Sequence, residues 1–261
     1  MRSFKCSKCS QDAIYYRKCD KKWFCVSCLR KFLRKKVKEY LRTRGDLTPQ
    51  ERILVALAGG TKSLVNLELI CKVERAYPSV KISALIIKEP VIFPPEVELV
   101  KVLRKVASEL GVEVIGEVSI DCSKEDSWEA RLITCLNIAK SMDFTSIALG
   151  ITLDDQVTRL MYKLVRGEVS LFPHKVRGVK VLTPLESVFL KEVLIYATSV
   201  GFPLFSSGYS ENGTRRLIVD FVYELEEKDP NVKFVLRSSL IEVMRSLGGR
   251  GASPEVDPHS R

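Results

Sequence analysis

The chain has 261 residues, a mean hydropathy near zero and a formal net charge of +10. This length allows one sizeable core plus a small module, and no apolar run is long enough to span a membrane. Residues 1–6 lack the apolar segment of a signal peptide. We therefore predict a cytoplasmic protein without membrane contact, whose eight cysteines serve metal or thiol chemistry rather than disulfides.

The positive charge is concentrated at the N-terminus. Residues 1–45 hold fifteen Lys or Arg against three Asp or Glu, whereas the remainder is close to neutral. A solvated helix rich in Lys and Arg is one explanation. A charge excess this one-sided favours a bound polyanion, and nucleic acid in particular.

Two Cys-x-x-Cys pairs lie in the first 28 residues: Cys6 with Cys9, and Cys25 with Cys28. Four thiolates at this spacing predict a closed, tetrahedral structural zinc site over residues 1–28. A redox motif is the alternative, but no βαβ pattern surrounds either pair. Cys19 is a possible substitute for one ligand.

An amphipathic helix is predicted from Cys28 to about Arg44, and residues 29–48 form this helix and a linker. Its apolar stripe would pack on the main body. The stripe consists of Leu29, Phe32, Leu33, Val37, Tyr40 and Leu41. The opposite face would bind phosphates. That basic face consists of Arg30, Lys31, Arg34, Lys35, Lys36, Lys38 and Arg42.

A buried strand over residues 53–57 is followed by two glycines and a helix, which Thr61 or Ser63 could cap. This arrangement can cradle phosphates on loop amides at a helix N-terminus. It is neither GxGxxG nor Walker A, and an ordinary tight turn is the alternative. The candidate nucleotide-binding residues are Leu57, Ala58, Gly59, Gly60, Thr61, Lys62 and Ser63.

Strand and helix patterns alternate through residues 49–203 and predict a doubly wound, parallel α/β sheet. Further strands are expected at 80–87, 112–120, 146–150 and 176–182, and helices at 96–110, 128–142, 153–165 and 186–201. Residues 204–247 should form a helical region with helices at 214–226 and 232–247. Residues 248–261, rich in Gly, Ser and Pro, are expected to be disordered.

A second strand-to-helix turn carries Gly150, Asp154 and Asp155. The two adjacent carboxylates suit Mg²⁺ on a bound triphosphate. Alternatively, Asp154 caps the helix and Asp155 complements its dipole.

Together, the cysteine pairs, the basic helix and the two turns resemble the PP-loop ATP pyrophosphatases that thiolate tRNA uridines. The resemblance covers roughly residues 5–201. In that family ATP adenylates a uridine C2 oxygen, and sulfur then displaces AMP. The resemblance implies a body with the adenine nucleotide alpha hydrolase-like fold that binds ATP, and a zinc arm that helps bind tRNA.

Both nucleotide motifs depart from the family pattern. The family loop reads Ser-Gly-Gly-Lys-Asp-Ser, and here Ala58, Thr61 and Lys62 replace the first Ser, the Lys and the Asp. The second motif reads Gly-His-Asn-x-Asp-Asp, and Ile151 and Thr152 replace the His and Asn. The retained positions are Gly59, Gly60, Ser63, Gly150, Asp154 and Asp155.

The cysteines of catalytic family members are also missing. Their Cys-x-x-Cys would fall near Lys124 and Ser127, where Cys122 has no partner two residues on. Cys71 and Cys135 lie in helical segments and are predicted to be core residues. We therefore expect no iron–sulfur cluster.

Three functions remain open. The favoured one is a tRNA-thiolation protein that binds tRNA as a non-catalytic subunit, paired with a catalytic paralogue or a second copy of itself. The second is an active, ATP-dependent sulfurtransferase that uses Lys62, Asp154, Asp155, Mg²⁺ and an external sulfur-carrier protein. The third is a zinc-dependent nucleic-acid-binding protein unrelated to thiolation.

Overall fold

The computed structural model describes residues 4–45, 47–58, 60–74, 79–88, 99–120, 127–205 and 213–248. The chain forms two compact units. The first comprises Met1–Thr152 and Lys175–Ser210, and the second comprises Leu153–His174 and Glu211–Arg261. Gly59, Cys122, Lys124 and the segment 249–261 lie outside the described residues, so the predictions made for them stay predictions.

A six-stranded sheet forms the centre of the first unit. Along the chain its elements are β3 (Arg52–Leu57), α2 (Thr61–Glu74), β4 (Lys81–Lys88), α3 (Leu99–Glu109), β5 (Glu113–Ser119), α4 (Ser127–Ser141), β6 (Ser146–Ala148), β7 (Lys175–Val176), β8 (Val179–Leu182) and α6 (Leu190–Ser199). The strand order is β5-β4-β3-β6-β8-β7, and only β7 runs antiparallel to its neighbour. The predicted doubly wound α/β fold is confirmed.

The strand order reverses between β3 and β6, which are adjacent in the sheet although two strands separate them in sequence. At such a switch point the loops that follow the two strands leave in opposite directions and open a crevice at the carboxyl edge. The loop after β3 contains Gly60, and the loop after β6 contains Gly150. The topology thus brings both predicted turns to the same edge.

Two predicted elements are wrong in detail. The strand predicted at 176–182 is a hairpin, because Arg177 and Gly178 adopt positive φ angles of 48° and 90° and turn the chain between β7 and β8. The helix predicted from residue 186 begins only at Leu190, where the Glu192 carboxylate accepts the Phe189 N–H and caps the first turn.

The N-terminal module adds two short strands that the sequence pattern did not predict. β1 (Tyr15–Arg17) and β2 (Lys22–Phe24) pair antiparallel around the 3₁₀ turn Lys18–Asp20. Three-residue strands are too short for a periodic pattern to be recognised. Helix α1 (Val26–Thr43) follows directly and begins two residues before the predicted start.

The apolar stripe of α1 packs against α2 and α6. All of its predicted members are buried except Phe32, which is half-buried. The stripe joins the large apolar core that also contains residues of α2, α3, α6 and the sheet. The N-terminal module and α1 are therefore part of the same compact unit as the sheet.

The second unit contains α5 (Leu153–Val165), α7 (Thr214–Lys228) and α8 (Val232–Gly248). Helix α5 packs on both other helices. The unit has its own small apolar cluster, formed by Leu160, Leu240 and Met244. In the part of the chain that the structure describes, no helix has the length and apolar character needed to cross a bilayer.

Candidate functional sites

The structure brings the four paired cysteines together. The Sγ atoms of Cys6, Cys9, Cys25 and Cys28 all lie within 4.8 Å of one another. Cys9 Sγ lies 3.5 Å from Cys25 Sγ and 3.4 Å from Cys28 Sγ. A tetrahedral zinc site with bonds of about 2.3 Å places its sulfur atoms about 3.8 Å apart. The cluster can therefore hold one metal ion.

Backbone N–H groups stabilise the thiolate form that metal binding requires. The Lys8 N–H donates to Cys6 Sγ and the Cys28 N–H donates to Cys25 Sγ, each over 3.4 Å. Burial raises the pKa of Cys6, but backbone hydrogen bonds outweigh it and lower the pKa to about 6. The bond to Cys25 also caps α1, so one cysteine belongs both to the cluster and to the helix start.

Cys19, predicted as a possible substitute ligand, lies outside this cluster. Its Sγ donates to Asp20 Oδ1 over 3.7 Å. Burial is the main cause that raises its pKa to about 11, so Cys19 is predominantly a thiol at neutral pH.

A buried ion pair fixes the cysteine module to the sheet unit. Arg17 Nε lies 2.7 Å from Glu192 Oε1, and the two side chains are 4% and 0% exposed. The Arg17 guanidinium also lies 5.0 Å from the ring centroid of Phe32 and 5.3 Å from that of Phe189. Because Glu192 caps α6, the cysteine module is anchored on a helix of the unit that contains the sheet.

The predicted basic face of α1 remains at the surface. Five of its seven residues are exposed, whereas Arg30 and Lys36 are half-buried beside aromatic rings. The Arg30 guanidinium lies 6.0 Å from the ring centroid of Tyr196, and the Lys36 ammonium lies 6.0 Å from that of Phe32. The face therefore presents a row of cations on a rigid helix.

The loop after β3 closes onto the first turn of α2. Ser63 Oγ donates to the Gly60 carbonyl over 2.7 Å, and the Ser63 N–H donates to the same oxygen over 3.0 Å. Helix α2 begins at Thr61, so neither Thr61 nor Ser63 is the predicted N-terminal cap. Ala58 and Gly60 are half-buried, and Leu57 is buried in the sheet.

Thr61 stands where the family has lysine, and its side chain is buried and hydrogen-bonded within the protein. Its side chain is 2% exposed. The hydroxyl accepts the Phe205 N–H over 2.8 Å and lies 3.3 Å from the Pro203 carbonyl oxygen. Thr61 thus ties the loop to residues 203–205 instead of presenting a cation to a phosphate.

Lys62 carries the positive charge of this loop, and it is half-buried. Its ammonium lies 5.8 Å from the ring centroid of Trp128, at the start of α4. The guanidinium of Arg131 lies 4.6 Å from the same ring. Two cations therefore lie near one ring in the first unit.

Gly150 lies directly against the loop. A Cβ atom at Gly150 would approach the Lys62 carbonyl carbon and oxygen to 3.0 Å and the Ser63 nitrogen to 3.1 Å. A Cβ at Gly60, in contrast, would meet nothing within 4 Å among the residues that the structure describes. The two turns are thus packed backbone to backbone at Gly150, whereas Gly60 borders open space.

Asp154 and Asp155 belong to the second unit, in the first turn of α5. The helix begins at Leu153, so Asp154 lies inside the helix and is not its N-cap. The buried Lys233 ammonium lies 2.5 Å from Asp154 Oδ1 and 2.6 Å from Glu226 Oε2. Lys233 was not predicted as a site residue, because a lysine in an apolar helix gives no indication of a distant carboxylate partner.

The other described cysteines are placed as predicted. Cys71 and Cys135 are buried in α2 and α4, and burial raises the pKa of Cys135 to about 12. Across the described ranges, the structure contains no second group of three metal-ligating side chains.

Comparisons with known proteins bear on both the fold and the family. The chain is 26% identical over 249 residues to the tRNA-5-methyluridine(54) 2-sulfurtransferase of Pyrococcus horikoshii, covering 88% of this chain and 79% of that protein. It is 26% identical over 217 residues to the tRNA(Ile)-lysidine synthase of Thermosipho africanus, covering 77% of this chain and 49% of that one. No family model matches the chain.

A solved structure is similar over nearly the whole chain. It is the U34-tRNA thiolase NcsA from Methanococcus maripaludis with its [4Fe-4S] cluster. The TM-score is 0.78 at 20% identity, covering 94% of this chain and 89% of the thiolase. The predicted resemblance to the PP-loop tRNA-thiolation family is confirmed. In this chain, the loop at Gly60 and the turn at Gly150 lie at the switch point of the sheet.

Proposed function

We propose that this protein binds tRNA and supports its thiolation as an accessory subunit that does not itself catalyse sulfur transfer. The proposal rests mainly on the ion pair of Asp154 with the buried Lys233, which also pairs with Glu226. An ammonium that is 1% exposed already neutralises the carboxylate that would hold a metal ion on ATP. The engagement of Thr61 with Phe205 supports the same conclusion.

tRNA binding rests on α1. Its 18 residues span about 27 Å, which is long enough to follow several phosphates of an RNA backbone. The docking of Arg17 on Glu192 holds this helix and the cysteine module in a fixed position, so the helix backbone needs no ordering on binding. Activity would then come from a catalytic protein of the same fold, or from a second copy of this chain.

The four-cysteine cluster is proposed to hold structural zinc. Sulfur atoms within 4.8 Å of one another surround a single ion, whereas a [4Fe-4S] cluster places four iron atoms between its thiolates and needs a wider ligand set. Zinc would join the segment that contains Cys6 and Cys9 to the end of β2 and the start of α1, where Cys25 and Cys28 lie. The absence of an iron–sulfur cluster elsewhere stays a prediction, because Cys122 lies outside the described residues.

A second candidate function is an active adenylating enzyme supplied by an external sulfur carrier. The open space at Gly60 favours it, because a ligand can approach the loop and the α2 N-terminus there. Lys62 would then contribute charge to the phosphates, and Asp155 or Asp154 would contribute to Mg²⁺ binding.

One complementation experiment separates the two candidates. Cells that lack this protein are expected to lose tRNA 2-thiolation, measured by mass spectrometry of tRNA nucleosides. A Gly60→Asp variant has room for its side chain but places a carboxylate where phosphates would bind. If the protein is an accessory subunit, this variant restores thiolation; if it is the adenylating enzyme, thiolation stays absent.

A Lys31→Glu/Arg34→Glu/Lys35→Glu variant is the matched control, because its changes lie on the exposed face of α1. It is expected to fail under either candidate, since tRNA binding is lost. Normal thiolation in cells that lack the protein altogether would overturn both candidates.

A further inference from the structure

One face of the cysteine module carries exposed aromatic and aliphatic side chains. Phe4 is 57% exposed, Ile14 is 52% exposed and Tyr16 is 37% exposed. Trp23 lies between Phe4 and Tyr16 and is half-buried. We refer to Phe4, Ile14, Tyr16 and Trp23 as the aromatic face.

The rings of this face are ordered by the β1–β2 hairpin. Tyr16 lies directly opposite Trp23, with ring centroids 4.7 Å apart. Phe4 stacks on Trp23 with a centroid distance of 4.0 Å and an interplanar angle of 8°. The backbone of Trp23 is held on both sides by Ser7, so the rings are presented by a fixed strand.

The aromatic face is not needed for the core of the module. Side chains alternate across a strand, so Tyr15 and Phe24 point to the opposite side of the hairpin. Those two residues are buried and belong to the large core of the first unit. The hairpin thus uses one face for folding and leaves the other, with three large apolar side chains, at the surface.

The surroundings of the aromatic face are cationic. Residues 1–25 contain seven Lys or Arg and two Asp. Five lysines of this segment are exposed: Lys5, Lys8, Lys18, Lys21 and Lys22. Lys5 directly follows Phe4 and forms an ion pair with Asp12, whereas Lys22 alternates to the same side of the hairpin as Phe24. Stacked aromatic rings flanked by cations are the combination with which proteins bind unpaired nucleotides.

We propose that the aromatic face stacks unpaired bases of an RNA, while neighbouring lysines contact the adjoining phosphates. The proposal rests on the tRNA-binding function proposed above and names where single-stranded nucleotides would contact the protein. RNA is favoured over a protein partner because the exposed lysines of residues 4–25 outnumber the exposed aspartates by five to two. Stacking accepts any base, so the face would add affinity without sequence preference.

The test compares substitutions at Tyr16 in binding to fluorescein-labelled RNA, measured by polarisation. The probes are a single-stranded RNA of about twelve nucleotides and a hairpin with a fully paired stem. Tyr16→Leu keeps an apolar side chain but removes the aromatic plane, whereas Tyr16→Phe keeps the plane. Tyr16→Leu is expected to weaken single-strand binding about 5- to 150-fold, the range that one stacked base contributes, and Tyr16→Phe to leave it within 2-fold.

Two controls make the result specific. Phe221→Leu alters an aromatic residue of α7 that is 48% exposed, and it should not change binding. Single-stranded RNA containing 4-thiouridine should cross-link under ultraviolet light to Phe4, Tyr16 or Trp23, as identified by mass spectrometry. Zinc content measured for each variant verifies that the module is intact.

The outcomes distinguish this inference from the proposed function. If Tyr16→Leu binds single-stranded RNA as tightly as the unaltered protein does, the inference is overturned, even though the protein binds tRNA. Cross-links confined to α1 would overturn it in the same way. If the unaltered protein fails to bind tRNA, the proposed function itself fails.

Discussion

Glu51, at the start of the sheet, forms hydrogen bonds with residues from distant parts of the chain. Glu51, which precedes β3 and is fully buried, accepts hydrogen bonds from the Thr48 N–H over 2.9 Å and Thr145 Oγ1 over 2.5 Å. Ser146 Oγ also donates to it, and Lys180 Nζ lies 3.1 Å away. Burial opposes ionisation of Glu51, but these donors outweigh it and lower the pKa to about 2.

This network predicts acid sensitivity at Glu51. Because its pKa in the folded state lies below the ordinary value of about 4.5, its contribution to stability is present above pH 4.5 and is lost as the pH falls towards 2. Unfolding by urea at pH 7 and near pH 2 should show the unaltered protein losing about 2–3 kcal/mol more than Glu51→Gln. Parallel losses in both proteins would contradict the assigned pKa.

The contact at Gly150 predicts a second effect. Gly150→Ala forces a methyl group against the Lys62 carbonyl and should destabilise the protein by about 1–3 kcal/mol in urea unfolding. Gly60→Ala lies in the other turn, three residues after the end of β3, and has open space, so it should change stability by less than about 0.5 kcal/mol. Equal effects would mean that the two turns are not in contact.

Contacts between residues close in the sequence could be predicted, whereas contacts between residues far apart in the sequence could not. The four-cysteine cluster was predictable because the spacing within each pair encodes a local knuckle. The pairing of Lys233 with Asp154 joins residues 79 apart, and no local pattern encodes it. Cys19 was considered as a ligand from composition alone, and only the hairpin geometry separates it from the cluster.

Among the elements, the 18-residue helix α1 was predictable because its apolar residues recur at helical spacing from Leu29 to Leu41. The β1–β2 hairpin was not, because each strand has three residues and tertiary contacts stabilise it. The same limit applied at β7–β8, where the spacing of Val176, Val179 and Val181 indicated one strand although Arg177 adopts a positive φ and turns the chain. Long periodic elements are thus encoded locally, whereas short strands depend on the packing around them.

The attachment of the cysteine module to α6 depends on Arg17. Arg17→Met leaves the fully buried Glu192 carboxylate without its guanidinium and should destabilise the protein by about 3–5 kcal/mol. Lys5→Met removes an ion pair of the same module, with Asp12, whose side chains are 61% and 71% exposed. The Lys5→Met control should lower the free energy of unfolding by less than about 1 kcal/mol.

Thermal or urea unfolding measures both variants. Limited proteolysis of Arg17→Met should also cleave the module faster, since Arg17 makes the ion pair that joins it to Glu192. Equal stability of Arg17→Met and Lys5→Met would show that the buried pair does not anchor the module.

For the whole molecule, the separation of charge predicts how tRNA binding depends on salt. The fifteen cations in residues 1–45 contrast with a nearly neutral remainder, so phosphate contacts should concentrate on the N-terminal module and α1. Each phosphate contact contributes about 0.7–0.9 to the slope of log affinity against log salt. A variant that loses three such contacts should therefore lose about 2–3 from that slope.

The variant is Lys31→Gln/Arg34→Gln/Lys35→Gln, which removes three charges from exposed positions of α1. Its control is Lys81→Gln/Lys105→Gln/Lys140→Gln, which removes the same net charge from exposed positions of the sheet unit. Filter binding of tRNA between 50 and 300 mM salt should give a lower slope for the first and an unchanged slope for the second. If both slopes fell equally, tRNA binding would depend on the total charge of the protein, and α1 would not be the binding surface.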